Sequence, residues 1–223
     1  MELERTAYFA PESIAQVAAQ MMTVLRPLAR GRITLDRERC ALLILDMQGA
    51  FLDRDSHAFV PSADAILPGI LALREAFSRR GLPTVCTVHV NSPEDAGMMD
   101  TWWRDRIEAG TPGSRLQRDL ATSCTNVLEK PQYDAFHRTE LESLLLERGV
   151  RQLVIAGVMT HLCCDTTARS AFVRGFQVFV CVDGTATYNE VLHRGSLLGL
   201  AHGVAEMLLV DEVLHVLEDD AEG

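Results

Sequence analysis

Apolar residues recur in short, largely unbroken runs along the chain, and each run is followed by residues with helical spacing. The runs are CALLIL (40–45), PTVCTV (83–88), TNVLE (125–129), QLVIAG (152–157), QVFVCV (177–182) and EMLLV (206–210). Runs of this length, bounded by turn residues, predict strands buried on both faces. Amphipathic stretches at 64–80, 139–148, 163–174 and 189–203 lie between most of them. Gly81, Gly149, Gly175 and Gly203 follow as helix stops. Upstream, Ile14, Val17, Met21, Leu25 and Leu28 repeat at helical spacing and predict a helix over 11–29. Pro11 and Glu12 suit its first turn, and Pro27 ends or kinks it. Strand–helix alternation of this kind specifies an α/β fold of three layers, α/β/α, around an open, mostly parallel six-stranded sheet of Rossmann-like form.

The 223 residues fit a single domain over 1–223, with an N-terminal helical extension at about 1–37. No repeat or linker breaks it. The stretch 91–118 has no clear period, and irregular segments of that length are often lids or binding loops. A net charge of −10 argues against nucleic acid and anionic membranes as partners. No apolar run spans a bilayer, and the acidic start lacks a signal pattern, so a cytoplasmic location is expected. Six cysteines without a C-x-x-C pair, most of them in apolar runs, read as reduced thiols in a reducing compartment rather than a disulfide framework.

In open α/β sheets ligands bind beyond the carboxyl ends of the strands. That rule selects Asp46, His89, Lys130, the 158–164 stretch and Asp183 for inspection. Asp46 follows LLIL directly; it either caps a turn or finds a partner that offsets its desolvation. Lys130 is either a solvated surface lysine or half of a tuned pair, with Tyr133 and Phe136 close enough in sequence to wall a pocket. Cys163 falls where a strand becomes a helix, and free amides at a helix start favour a thiolate and can hold an oxyanion. A buried, inert cysteine is the other reading. Cys164 lies about 100° further round the axis, so only one of the two thiols faces a cleft. His57, His89 and His161 make no Asp-x-His group with a second histidine nearby, so no metal is assigned. Trp102 and Trp103 read as a lid wall, or as core or oligomer contacts.

Three segments together carry a resemblance. LLILDMQGAF, EKPQYDAFHRTELESLLLERGVRQLVIAGV and GVMTHLCCDTTARSA resemble, in order and spacing, the first-strand, lysine and nucleophile motifs of the isochorismatase-like cysteine hydrolases. That family includes nicotinamidases, N-carbamoylsarcosine amidases and isochorismatases. The resemblance covers about residues 38–210. It implies that Cys163 is the nucleophile, Asp46 the acid–base group and Lys130 the lysine paired with it. Cys164 then fills a slot usually held by valine. It implies a cis peptide at Val158–Met159 and an oxyanion hole built from the amides of Met159 and Cys163. Gln48, Phe51, His89 and Tyr133 become candidate substrate-binding residues.

The activity so implied is hydrolysis of a C–N bond in a small amide, carbamoyl or ureido compound through a thioester, with no cofactor and no metal. The partner is a small-molecule substrate, and the protein is expected to be a homo-oligomer, a dimer or higher. Nicotinamidases carry metal ligands after the second strand that TVHVNSPED does not reproduce, which sets them aside. Isochorismatases cleave a vinyl ether without the cysteine, and a silent binding or assembly module on the same fold is the third reading.

Overall fold

A computed structural model describes residues 4–28, 31 and 33–218. Its elements, in chain order, are α1 (Ile14–Leu25), β1 (Cys40–Leu45), α2 (Gly49–Leu52), α3 (Ala63–Arg79), β2 (Thr84–His89), α4 (Met99–Trp102), a 3-10 turn (Pro112–Ser114), α5 (Arg118–Ser123), β3 (Asn126–Lys130), α6 (Leu141–Glu147), β4 (Gln152–Val158), a π-turn (Thr160–Cys164), α7 (Asp165–Val173), β5 (Gln177–Ala186), α8 (Glu190–Gly203), β6 (Ala205–Leu208) and α9 (Val210–Glu218). The six strands form one sheet in the order β3-β2-β1-β4-β5-β6, with every pairing parallel. Helices α3 and α9 pack together against the strands, α7 lies on β5 and α8 on β6 with the two helices in contact, and the result is the three-layer α/β/α arrangement.

Strands β1 and β4 are buried at every position, which is why they read as unbroken apolar runs. The chain reverses its direction of sheet-building between them, so the carboxyl ends of β1 and β4 open the crevice where such folds bind ligands. At that point Leu45 lies opposite Gly157. A Cβ on Gly157 would come within 2.1 Å of the Leu45 carbonyl oxygen, and its φ of +112° also excludes side chains. Glycine here lets the two strand ends close on each other.

Several expectations shift. Strand β5 runs to Ala186 rather than 182, because a bulge takes up the residues between its pairings with Ile155 and Gly157. Asp183 therefore sits inside the strand, where its carboxylate accepts from the Val210 amide and holds the start of α9. Burial raises its carboxyl to about 6. Helix α9 itself went unread, although Val210, Val213 and Leu217 are buried at helical spacing. Gly203 ends α8 from within the helix and not beyond it, whereas Gly81, Gly149 and Gly175 do adopt the left-handed turn of a helix stop.

The predicted 11–29 helix is shorter, Ile14–Leu25, and its residue 29 lies outside the described residues, as do residues 1–3, 30 and 32 of the 1–37 extension. It lays Ala18, Met21, Met22 and Leu25 against β5 and α8 of its own chain, and Arg26 pairs with Glu212 of α9. The reading of the cysteines as uniformly reduced is corrected. Cys86 and Cys124 form a disulfide, while Cys40, Cys163, Cys164 and Cys181 are free. The two partners are 38 residues apart, and the parallel pairing of β2 with β3 brings their Cα atoms within 6.3 Å. That proximity has no signature in local spacing. Among the described residues no helix is long and apolar enough to cross a membrane.

Candidate active site

The carboxyl ends of three parallel strands bring Asp46, Lys130 and Cys163 together. Asp46 follows β1 directly and takes a left-handed φ of 53°, a strained region that aspartate tolerates better than most residues. Thr87 of β2 fixes it there. The Asp46 amide donates to the Thr87 carbonyl and hydroxyl oxygens, both at 3.2 Å, and the Thr87 hydroxyl donates to Asp46 Oδ1 at 2.6 Å. The opposite oxygen, Oδ2, is left to face Lys130 at 2.8 Å.

Lys130 ends the edge strand β3 and is fully buried, so its long side chain must cross beneath β2 to reach Asp46. Its three donors have three partners: Asp46 Oδ2, the Gln132 carbonyl at 2.9 Å and Cys163 Sγ at 3.4 Å. Burial alone would disfavour the ammonium; the Asp46 carboxylate beside it outweighs burial and holds Lys130 above the ordinary lysine range. Cys163 sits in the π-turn between β4 and α7, 5 % exposed. Burial and then the Asp46 charge push its thiol well above the usual range, with Lys130 acting the other way. That upward direction is opposite to the one expected for a cysteine at a helix start. Cys164 points into the apolar core and is fully buried.

The Val158–Met159 peptide is cis. It turns the chain out of β4, so that Met159 and Cys163 both reach the same cavity. The cavity has a volume of about 70 Å³ and a mainly apolar wall. Of the four residues expected to bind substrate, Phe51, His89 and Tyr133 line it. Gln48 does not. Its side-chain amide donates to the His89 and Gly113 carbonyls and accepts from the His89 amide, which spends both ends on pinning the β1–α2 turn to β2 and to the irregular segment. His89 is lowered to about 4 by burial and by the charge of Lys130, so it is a neutral imidazole near pH 7.

Residues that the sequence left unassigned complete the wall. Trp103 lines the cavity and donates from Nε1 to the Tyr133 hydroxyl at 2.6 Å, while its neighbour Trp102 is 75 % exposed. His57 and Asp105 meet at 2.5 Å, joining the 53–62 loop to the 91–118 segment across the cavity's edge. Tyr188 lies two residues past β5. The strand-end rule finds Tyr188 only once the bulge has lengthened β5, which is why 182 and Asp183 marked the wrong place. The irregular segment is thus a wall, held by an antiparallel bridge between Gln48 and Leu116. Among the described residues no lysine or arginine lines the cavity. Among the described residues no cluster of three histidine, cysteine or acidic side chains could hold a metal ion.

The isochorismatase domain model matches residues 40–212. A protein named Nicotinamidase 3, from Arabidopsis thaliana, is 38% identical over 178 residues, 78% of this chain and 86% of that protein. Enterobactin synthase component B of Escherichia coli is 31% identical over 180 residues, 79% of this chain and 63% of that protein. A cysteine hydrolase from Pseudomonas syringae pv. phaseolicola 1448A has the same fold, with a TM-score of 0.79 at 23% identity, covering 84% of this chain and 96% of that one. The first of these relatives weighs against setting nicotinamidases aside on the absence of metal ligands after β2.

Proposed function

The chain belongs to the isochorismatase family of hydrolases, and on that premise we propose that it is a cysteine amidohydrolase that cleaves a small, uncharged amide or ureide. One observation carries the reading: a buried carboxylate, a buried ammonium and a thiol lie in mutual contact, and of the three only Cys163 lines the cavity. A cysteine in that position has a base beside it and a cation to stabilise its anion, which is what nucleophilic attack on a carbonyl requires.

In the proposed reaction the substrate carbonyl carbon is presented to Cys163. The thiol proton passes to Asp46 as sulfur attacks, because the raised thiol holds its proton until a base removes it. Lys130 stays charged throughout and compensates the thiolate. The amides of Met159 and Cys163 receive the oxyanion. Asp46 then returns the proton to the departing nitrogen, and water hydrolyses the thioester. The apolar wall with Phe51, Trp103, Tyr133 and Tyr188 suits a flat, uncharged substrate. It does not suit a dicarboxylate, since no cation lines the cavity, and this disfavours the vinyl-ether reading. The name of the Arabidopsis relative makes nicotinamide the first compound to test. A homo-oligomer of two or more copies, acting in the cytoplasm without metal or cofactor, is part of the same proposal.

Ammonia release from nicotinamide and from a panel of carbamoyl and ureido compounds tests it. Wild type should turn over at least one of them, and Cys163→Ala should lower kcat by at least about a thousandfold. Hydrolysis of a chorismate-type vinyl ether that survives Cys163→Ala but not Asp46→Ala, with no ammonia released from any amide, would instead establish the vinyl-ether type of chemistry.

A further inference from the structure

The family match begins at residue 40, yet residues 4–9 bond to two loops around the cavity. The Thr6 amide donates to the Tyr188 carbonyl at 2.9 Å, and Asn189 Nδ2 donates to the Glu4 carbonyl at 2.8 Å. Asn189 caps α8 with its other side-chain atom, so the same residue fixes the helix and the strap. The Arg5 guanidinium lies over the Tyr188 ring, 4.5 Å from its centre. The Tyr8 hydroxyl accepts from the Thr187 amide at 3.0 Å, and the Thr187 hydroxyl meets the His161 ring of the π-turn. The amides of Tyr8 and Phe9 both donate to Ser62 Oγ, at the end of the 53–62 loop.

Thr160 opens the π-turn that ends in Cys163 and Cys164, and its hydroxyl meets Nδ1 of the fully buried His193 at 2.9 Å. The Tyr8 and Phe9 rings pack on His193, at 5.0 and 5.4 Å between centres. One short segment therefore reaches the turn that aims the nucleophile, through Thr187 and His193, and the loop that carries an aromatic wall of the cavity. We propose that Tyr8 and Arg5 are positioning residues: Tyr8 sets the nucleophile turn through Thr187 and through His193, and Arg5 sets Tyr188 as a wall of the substrate cavity. The substrate side of this inference rests on the amidohydrolase function proposed above.

The two residues act through different loops, and this separates their kinetic signatures. A small displacement of the nucleophile turn changes the approach of sulfur to carbon and so acts on kcat, where an error of about 1 Å can cost on the order of a hundredfold. A loosened Tyr188 acts on binding and so on KM. Arg5 is exposed, so removing its guanidinium leaves no buried charge behind.

The test uses the whole chain and two readouts: steady-state ammonia release from whichever amide wild type turns over, and the rate at which iodoacetamide alkylates Cys163. Tyr8→Phe should lower kcat about tenfold and alter the alkylation rate at least about threefold, with KM nearly unchanged. Arg5→Ala should raise KM about tenfold with kcat and alkylation unchanged, and Arg5→Lys, which keeps a cation over the ring, should restore KM. Wild-type kinetics in both Tyr8→Phe and Arg5→Ala would overturn the proposal, as would losses that merely follow the fraction unfolded at the assay temperature. If wild type releases ammonia from no compound, the function proposed above fails on its own. Alkylation of the Tyr8→Phe protein then still decides the strap, an altered rate supporting it and an unaltered rate overturning it.

Discussion

Lys130 shows most directly how much a single residue depends on its partners. Its ammonium has no water to fall back on, and each of its three protons is spent on one neighbour. Lys130→Met should therefore do two separable things. It leaves the Asp46 carboxylate buried and unpaired, which should cost about 3–5 kcal/mol of stability in urea unfolding. It also removes the cation beside sulfur, which should lower turnover at least about a hundredfold. Adding Asp46→Asn to Lys130→Met should recover most of the stability and none of the turnover. Recovery of turnover in the double variant would show that the pair serves stability alone. The sequence named Asp46, Lys130 and Cys163 as candidates, from strand ends and from a family resemblance. It did not reveal that Gln48 is fully committed to backbone groups, because those partners come from His89 and Gly113, which local spacing does not connect to it.

At the level of elements, the site depends on how closely β1 and β4 approach each other. Gly157 makes that approach, and Gly157→Ala would bring a methyl group against the Leu45 carbonyl while forcing alanine to a φ of +112°. The strands must then separate where Asp46 and the cis Val158–Met159 bond emerge. Urea unfolding should show a loss of about 3 kcal/mol or more, and turnover should fall even where the variant is fully folded. Unchanged stability would mean that the strand ends have slack. Strand positions were readable to within a residue or so at β1–β4, because apolar runs between turn residues are a local signal. The far end of β5 was not readable, since a bulge is a property of two strands together. Helices α2, α4 and α5 have four to six residues each, too few for a period to register.

Over the whole molecule, folding buries His89 and His193 and half-buries His161, all in neutral form. His89 and His161 are lowered to about 4 and His193 to about 3, in each case chiefly by burial. In the unfolded chain each takes up a proton near 6.5, whereas in the folded chain it does not until about 4 or below, so stability falls as pH drops below about 6.5. Asp183, raised to about 6, opposes this, because the folded chain holds a proton there that the unfolded chain releases. Three groups against one leave a net loss of roughly 2 kcal/mol per pH unit near pH 5. Urea midpoints at pH 7, 6 and 5 should fall in that order, and a flat series would mean that the histidines are hydrated. The sequence by itself determined the strand–helix alternation and the parallel sheet, and it offered Asp46, Lys130 and Cys163 as candidates, since these rest on periodicity and on side-chain chemistry, both local properties. Tertiary structure alone decided which oxygen of Asp46 faces Lys130, that Cys86 meets Cys124, and that residues 4–9 reach Tyr188 and the nucleophile turn. Those are meetings between parts of the chain that lie tens to nearly two hundred residues apart, and only packing in three dimensions sets the distances over which hydrogen bonds and charges act.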